Sequence, residues 1–133
     1  MTVSARERII TLDQVREQCG VAARAAWAKG GEDTVVLSVG RVLAITDAFV
    51  ITSGSNARQV RTIAEEVEER VKEAGGSAPL RIEGLDDARW VLMDYGDFIA
   101  HVFLQETREY YDLEHLWSGA PRVAWRRDVE DAG

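Results

Sequence analysis

Trp90-Val91-Leu92-Met93-Asp94-Tyr95-Gly96-Asp97-Phe98-Ile99-Ala100-His101-Val102-Phe103-Leu104 reads as two strands joined by a tight turn, with Gly96-Asp97 at the bend. Side chains alternate across a strand, so Trp90, Leu92 and Asp94 share one face and Val91, Met93 and Tyr95 the other. In the second strand Ile99, His101 and Phe103 oppose Ala100, Val102 and Leu104. Both faces are largely apolar. A hairpin of this kind belongs inside a sheet that is covered on both sides, by helices of the same chain or by a partner.

Moving towards the N-terminus, Leu80 to Glu83 is a further short strand, and Val35 to Val39 and Ala48 to Ser53 are two more, apolar and β-branched. Between the second of these and Leu80 lies an amphipathic helix. Val60, Ile63, Ala64, Val67, Val71 and Ala74 form its apolar stripe, and Glu65, Glu66, Glu68, Glu69, Arg70 and Lys72 its wet face. Ser55 or Asn56 caps its start and Gly75-Gly76 ends it. An earlier helix spans Thr11 to Lys29, with Leu12, Val15, Cys19, Ala22, Ala23 and Ala26 near a 3.6-residue period and Gly30-Gly31 as its stop. Thr11 and Gln14 have capping-box spacing, and Ile10 with Val15 forms the flanking staple.

On the C-terminal side a short helix is expected from about Thr107 to Trp117, with Tyr110, Leu113, Leu116 and Trp117 near one side. After Ser118-Gly119 the chain turns charged, and Arg122 to Gly133 is expected to be a mobile tail. The predicted order is α-β-β-α-β-β-β-α, an α/β (α+β) domain with a mixed sheet of about five strands and the long second helix as crossover. At 133 residues this is one domain, residues 1–133, with its core at about 9–118 and a tail at 119–133. Two medium helices and a short one hardly cover both sides of five strands. Either the helices divide between the faces, or an apolar sheet surface is left for a partner.

Charge points to the kind of partner. The chain carries 16 basic and 23 acidic residues, a net of −7, which disfavours a phosphate backbone as partner. Between Asp86 and Glu114 stand eight acids against two bases, so most of the net charge sits in that stretch, around the hairpin. A single cysteine, Cys19, makes no internal disulfide and fits a reducing cytosol. Met1 to Arg8 mixes charges of both signs with no apolar run after it, unlike a secretory signal, and no stretch has the roughly 20 apolar residues of a membrane span.

Several chemical readings compete. Gly54-Ser55-Asn56-Ala57-Arg58 leads from a strand into a helix, a natural anion site, and echoes the Gly-Ser turn of nucleotidyltransferases, whose acids would then be Asp94 and Asp97. The glycine and lysine spacing of a P-loop is missing, and an ordinary helix cap explains the turn. A hydrolase would draw on Ser53 or Ser55, His101 and Asp94, without a nucleophile elbow. His101 with Asp94 and Asp97 offers too few ligands for a metal, and His115 reads as a solvated helix residue. The aromatic set Trp90, Tyr95, Tyr110, Tyr111 and Trp117 is more informative, because aromatics dominate binding hot spots. For Tyr110 and Trp117, core and interface remain equal readings.

Thr46-Asp47-Ala48-Phe49-Val50-Ile51-Thr52-Ser53-Gly54-Ser55-Asn56-Ala57-Arg58-Gln59-Val60, Glu83-Gly84, Trp90 to Asp97, His101-Val102-Phe103 and Tyr111-Asp112-Leu113-Glu114-His115-Leu116-Trp117 together resemble the ribosomal silencing factor family, RsfS, also called Iojap. The resemblance covers roughly residues 9–118. Ala48, where the family usually has a larger residue, and the charged extension after Ser118 are departures. The resemblance implies a non-enzymatic protein without cofactor, of a fold similar to nucleotidyltransferases but lacking their catalytic acids. It implies binding to large-subunit ribosomal protein fourteen at the subunit-joining face, which blocks the small subunit and represses translation when nutrients are short. Organellar relatives serve in large-subunit assembly. Neither sequence-specific nucleic-acid binding nor a membrane is implied; a homodimer off the ribosome is an open alternative. An acidic rim around an apolar sheet face suits a basic ribosomal protein. The partner-binding residues expected on both grounds are Trp90, Asp94, Tyr95, Asp97, His101 and Glu106, with Leu116 and Trp117 as additions.

Overall fold

The computed structural model describes residues 12–40 and 46–126. Its elements are α1 (Leu12–Ala28), β1 (Glu32–Ser38), β2 (Ala48–Gly54), α2 (Ala57–Glu73), β3 (Arg81–Glu83), β4 (Trp90–Asp94), β5 (Phe98–Leu104), α3 (Gln105–Tyr111) and α4 (Leu113–Leu116). Thr11 and Ile10, and with them the expected capping box and staple, lie outside the described residues.

The five strands form one mixed sheet in the order β1-β2-β5-β4-β3. Only β2 and β5 run parallel; the other neighbours are antiparallel. Placing the two central strands side by side requires the chain to leave β2 through α2, cross to the far edge at β3, and return through the β4–β5 hairpin. α2 begins where expected, on Asn56, whose side-chain oxygen accepts from the Gln59 amide at 2.8 Å. It ends at Gly75, whose φ of 92° is the left-handed conformation glycine takes without strain. Asn56→Ala is expected to lower stability by about 1 kcal/mol, read as a lower urea midpoint at unchanged slope.

Both long helices lie on one face of the sheet. The stripe Val60, Ile63, Ala64, Val67 and Val71 of α2 and the small side chains Cys19, Ala22, Ala23 and Ala26 of α1 meet Val50, Val91, Met93, Phe98, Ala100 and Val102 in the main core. Burial lifts the Cys19 thiol to about 12, helped by Asp47 and Asp97, so it is an inert core residue. The expected alternation in β4 and β5 is met on both faces. Leu37, Val39, Phe49, Ile51 and Phe103 form a second cluster on the side away from the long helices, with Leu113, Trp117 and Ala120 packed on it. Cover on that side therefore comes from the C-terminal segment, which reaches the β1–β2 half. Trp90, Leu92, Asp94 and Ile99 on the β4–β5 half stay partly open.

Two expectations at the C-terminus are corrected. The single helix from Thr107 to Trp117 is two helices, α3 starting directly after Leu104 and α4 after a break at Asp112. Asp112 adopts φ 47° and ψ 53°, a left-handed conformation aspartate tolerates, and its amide closes α3 on the Arg108 carbonyl at 2.8 Å. The mobile tail expected from Arg122 is instead ordered as far as Arg126. Ser38 donates to the Pro121 carbonyl at 2.8 Å and Val123 to Val36 at 2.9 Å, so this piece lines the β1 edge. Trp125 is buried and donates its indole N–H to the Thr34 carbonyl at 3.0 Å, while Arg24 donates to the Trp125 carbonyl at 3.0 Å. Val123 and Trp125 alternate with Arg122 and Arg126, a period-two pattern that the charge count conceals. Covering an edge strand in this way also protects it from pairing with other chains. Residues 127–133 lie outside the described residues.

Candidate functional site

The hairpin turn closes through the Tyr95 amide on the Phe98 carbonyl at 2.9 Å, and Gly96 takes a φ of 85°. Asp94 stabilises the bend by accepting the Gly96 amide at 2.8 Å. At the other end of β4, Trp90 pairs across the ladder with Phe103, and Leu92 with His101. The Trp90 indole N–H donates to His101 Nδ1 at 3.0 Å. Its ring lies 4.8 Å from that of Phe103 and 5.0 Å from that of Tyr111. His101 is only 4% exposed, and burial holds its pKa down at about 4, so the imidazole is neutral.

Because α3 starts immediately after β5, it projects Glu106, Tyr110 and Tyr111 beside Trp90. Arg89, Trp90, Glu106, Thr107, Tyr110 and Tyr111 line a shallow groove there. Tyr110 is 80% and Tyr111 54% exposed, an unusual display for two adjacent tyrosines that pack edge to face at 5.0 Å.

The structure thus brings Trp90, His101 and Glu106 together. Asp94 shares the face of Trp90 but lies four residues along β4, about 14 Å away at ~3.4 Å per residue. Asp97 follows it in the turn, where burial and then Asp47 raise its carboxyl pKa. Tyr95 points to the other face. It packs in the main core, stacked on Phe98 at 4.6 Å, and burial followed by the charge of Glu68 raises its phenol above the ordinary value. Leu116 is 73% exposed, whereas Trp117 packs edge-on against Phe49 at 5.6 Å.

Arg108, which sequence reasoning counted only as a base among acids, anchors this arrangement. It is buried, and all five of its N–H groups are engaged. Nε and Nη2 grip Glu114 at 2.9 and 2.7 Å, Nη2 also donates to the Asp33 carbonyl at 2.6 Å, and Nη1 donates to the Glu32 carbonyl and Ser53 Oγ, each at 3.0 Å. The hydrogen bond from Arg108 holds the Glu114 carboxyl below its ordinary range, against the opposing effect of burial. A six-residue spacing is no signal in a continuous helix; these two side chains meet because the chain breaks at Asp112.

The catalytic readings do not assemble. Ser55 donates through both its amide and its hydroxyl to Gln59 Oε1, at 2.7 and 2.9 Å, so the helix start is satisfied from within. Gln59 Nε2 in turn donates to the Lys29 and Gly30 carbonyls at 3.1 and 3.2 Å, joining the end of α1 to the start of α2. Gly54 pairs with Leu104 and Ala48 with Phe98, so the Gly-Ser turn and Asp97 sit at opposite ends of the two central strands, about 20 Å apart. Ser53 is bonded to Arg108 and to the Glu32 carbonyl, and His101 to Trp90, leaving no serine–histidine pair among the described residues. Among the described residues no group of three or more His, Cys, Asp or Glu is arranged to hold a metal, and no helix is long and apolar enough to cross a membrane.

A family model described as "Ribosomal silencing factor during starvation" matches residues 12–132. The chain is 41% identical over 101 residues to ribosomal silencing factor RsfS of Bacillus subtilis, covering 76% of this chain and 85% of that protein. It is 40% identical over 108 residues to the RsfS of Halalkalibacterium halodurans, covering 81% and 92%. With mouse "Mitochondrial assembly of ribosomal large subunit protein 1" it shares 33% identity over 92 residues, 68% of this chain and 40% of that protein. A crystal structure of a Chromobacterium violaceum protein superposes with a TM-score of 0.75 at 31% identity, covering 84% of this chain and 92% of that one.

Proposed function

The chain belongs to the ribosomal silencing factor family, and from that premise we propose that it docks on large-subunit ribosomal protein fourteen, blocks joining of the small subunit and so represses translation when nutrients are short. The observation that carries this reading is the open aromatic surface of Trp90, Tyr110 and Tyr111, lined also by Arg89, Thr107 and Glu106, within a stretch, Asp86–Glu114, that is net acidic. A basic protein surface complements it. Acidic groups at the rim speed the encounter, and aromatic burial at the centre holds the complex.

Within the surface, Trp90 and Glu106 form the centre, Asp94 and Asp97 an acidic end, and Leu116 with Trp117 a second contact beyond α3. His101 and Tyr95 contribute from beneath, His101 under the indole and Tyr95 by fixing the hairpin to the main core. The protein acts in the cytoplasm, without catalysis or cofactor. Off the ribosome, a second copy of the chain covers the same surface, so that dimerisation and docking compete.

Co-sedimentation with isolated large subunits, followed by addition of small subunits, tests the proposal. Saturating protein is expected to remain on the large subunit and to suppress formation of joined ribosomes. Normal joining at full occupancy defeats the silencing mechanism. It would favour a second reading, a role in large-subunit assembly, which the name of the mouse relative supports.

A further inference from the structure

We propose that His101 is a positioning residue for docking: it fixes the Trp90 indole in one orientation, and in that way presets the centre of the surface on which the reading above rests. The argument starts from what His101 costs the fold. Indole N–H is a donor only, so His101 Nδ1 must accept and the neutral ring carries its proton on Nε2. That Nε2–H is buried and has no hydrogen-bond partner among the described residues. The ring is surrounded by Phe49 at 4.7 Å, edge to face, and by Phe103 at 6.1 Å, with Leu92 and Ile51 opposite it on the neighbouring strands.

In such surroundings an apolar side chain of similar volume would pack without leaving a donor unsatisfied. What imidazole adds is the acceptor for Trp90. Trp90 needs one, because it is partly open, on the half of the face that α4 and Trp117 do not cover. Packing against Phe103 and Tyr111 limits where the indole plane can lie, and the bond to Nδ1 selects which edge points inward. An anchor already in its bound rotamer loses less side-chain freedom on association.

Three variants of the full chain test this: His101→Leu, which removes the acceptor; His101→Asn, whose Oδ1 stands as many bonds from Cα as Nδ1 does; and Trp90→Phe, which removes the donor and assigns the Trp90 indole N–H signal among the four tryptophans in NMR spectra. In wild type that N–H is expected to exchange slowly with solvent, in His101→Leu quickly, and in His101→Asn slowly again. Affinity for large subunits should fall about five- to tenfold in His101→Leu, the worth of one net hydrogen bond, and recover in His101→Asn. In the Trp90→Phe background, His101→Leu should have no further effect on affinity.

Wild-type affinity in His101→Leu, an unprotected Trp90 N–H in the wild-type protein, or an equal loss in the Trp90→Phe background each overturns the proposal. Wild-type protein that does not bind large subunits at all overturns the docking reading, and this proposal falls with it. Normal wild-type binding that His101→Leu leaves unchanged removes this proposal alone.

Discussion

Replacing Arg108 with methionine is expected to lower the free energy of unfolding at neutral pH by about 3 kcal/mol, the lower end of what breaking a buried ion pair costs. Methionine keeps most of the length of the side chain and removes every donor. Glu114 then loses its counter-charge, and Ser53 Oγ and the carbonyls of Glu32 and Asp33 lose the guanidinium. The lower end applies because the Glu114 side chain remains 27% exposed, so water replaces part of what is lost. Removing both partners in Arg108→Met/Glu114→Leu should recover part of the loss, since no uncompensated charge then stays beneath α4.

Acid provides an independent check. The Glu114 carboxyl is held below its ordinary value of 4.5 in the folded protein, so its contribution is complete above that pH and is lost as pH falls through the depressed value. Wild type should therefore lose stability more steeply than Arg108→Met as the solution is acidified below about 4.5, and the gap between the two curves should narrow to the part carried by Ser53 and the Glu32 and Asp33 carbonyls. Urea denaturation at neutral pH and at a series of acid pH values measures both effects. A deficit below about 1 kcal/mol at neutral pH, the size of a surface pair, would show that the Arg108 cluster does not anchor the C-terminal helices.

The importance of Arg108 also shows which features of the fold local sequence reveals. The hairpin could be read residue by residue, because two-residue alternation and a Gly-Asp turn are local signals, and Trp90, Leu92 and Asp94 do share a face. The same alternation sends Tyr95 to the helix side, although it stands next to Asp94 in the motif. Strand order was not legible, since the parallel pairing of β2 with β5 joins residues about fifty positions apart with no turn to report it. The break at Asp112 escaped the reading because it depends on a left-handed aspartate whose neighbours keep a helical pattern. The strap of residues 121–126 is hidden in the sequence because Arg122 and Arg126 give it a charged composition, while Val123 and Trp125 alternate with them and pack on the main core. Strand order and the strap depend on contacts between distant segments, whereas α3 carries its tyrosines to Trp90 because it starts directly after β5, whose Phe103 pairs with Trp90.

That convergence makes Trp90→Ala the most consequential change for binding, with an expected loss of about 2 kcal/mol, or roughly thirtyfold in the dissociation constant for large subunits. Truncation removes the ring that Phe103 and Tyr111 flank, withdraws the donor from His101 and opens the groove beside Glu106. Part of the effect will appear as lower stability, because alanine leaves a void on the second cluster. Affinity must therefore be compared at a temperature where circular dichroism shows both proteins folded. The loss should lie mainly in a faster off-rate, as expected for an aromatic anchor, whereas Glu106→Gln should mainly slow association and reduce its dependence on salt. Added salt should thus slow wild-type association while leaving the Trp90 contribution nearly intact, because burial of an indole is not screened. Wild-type affinity in a folded Trp90→Ala protein would remove Trp90 from the interface and leave the exposed Tyr110, Tyr111 and Leu116 as the remaining apolar anchors.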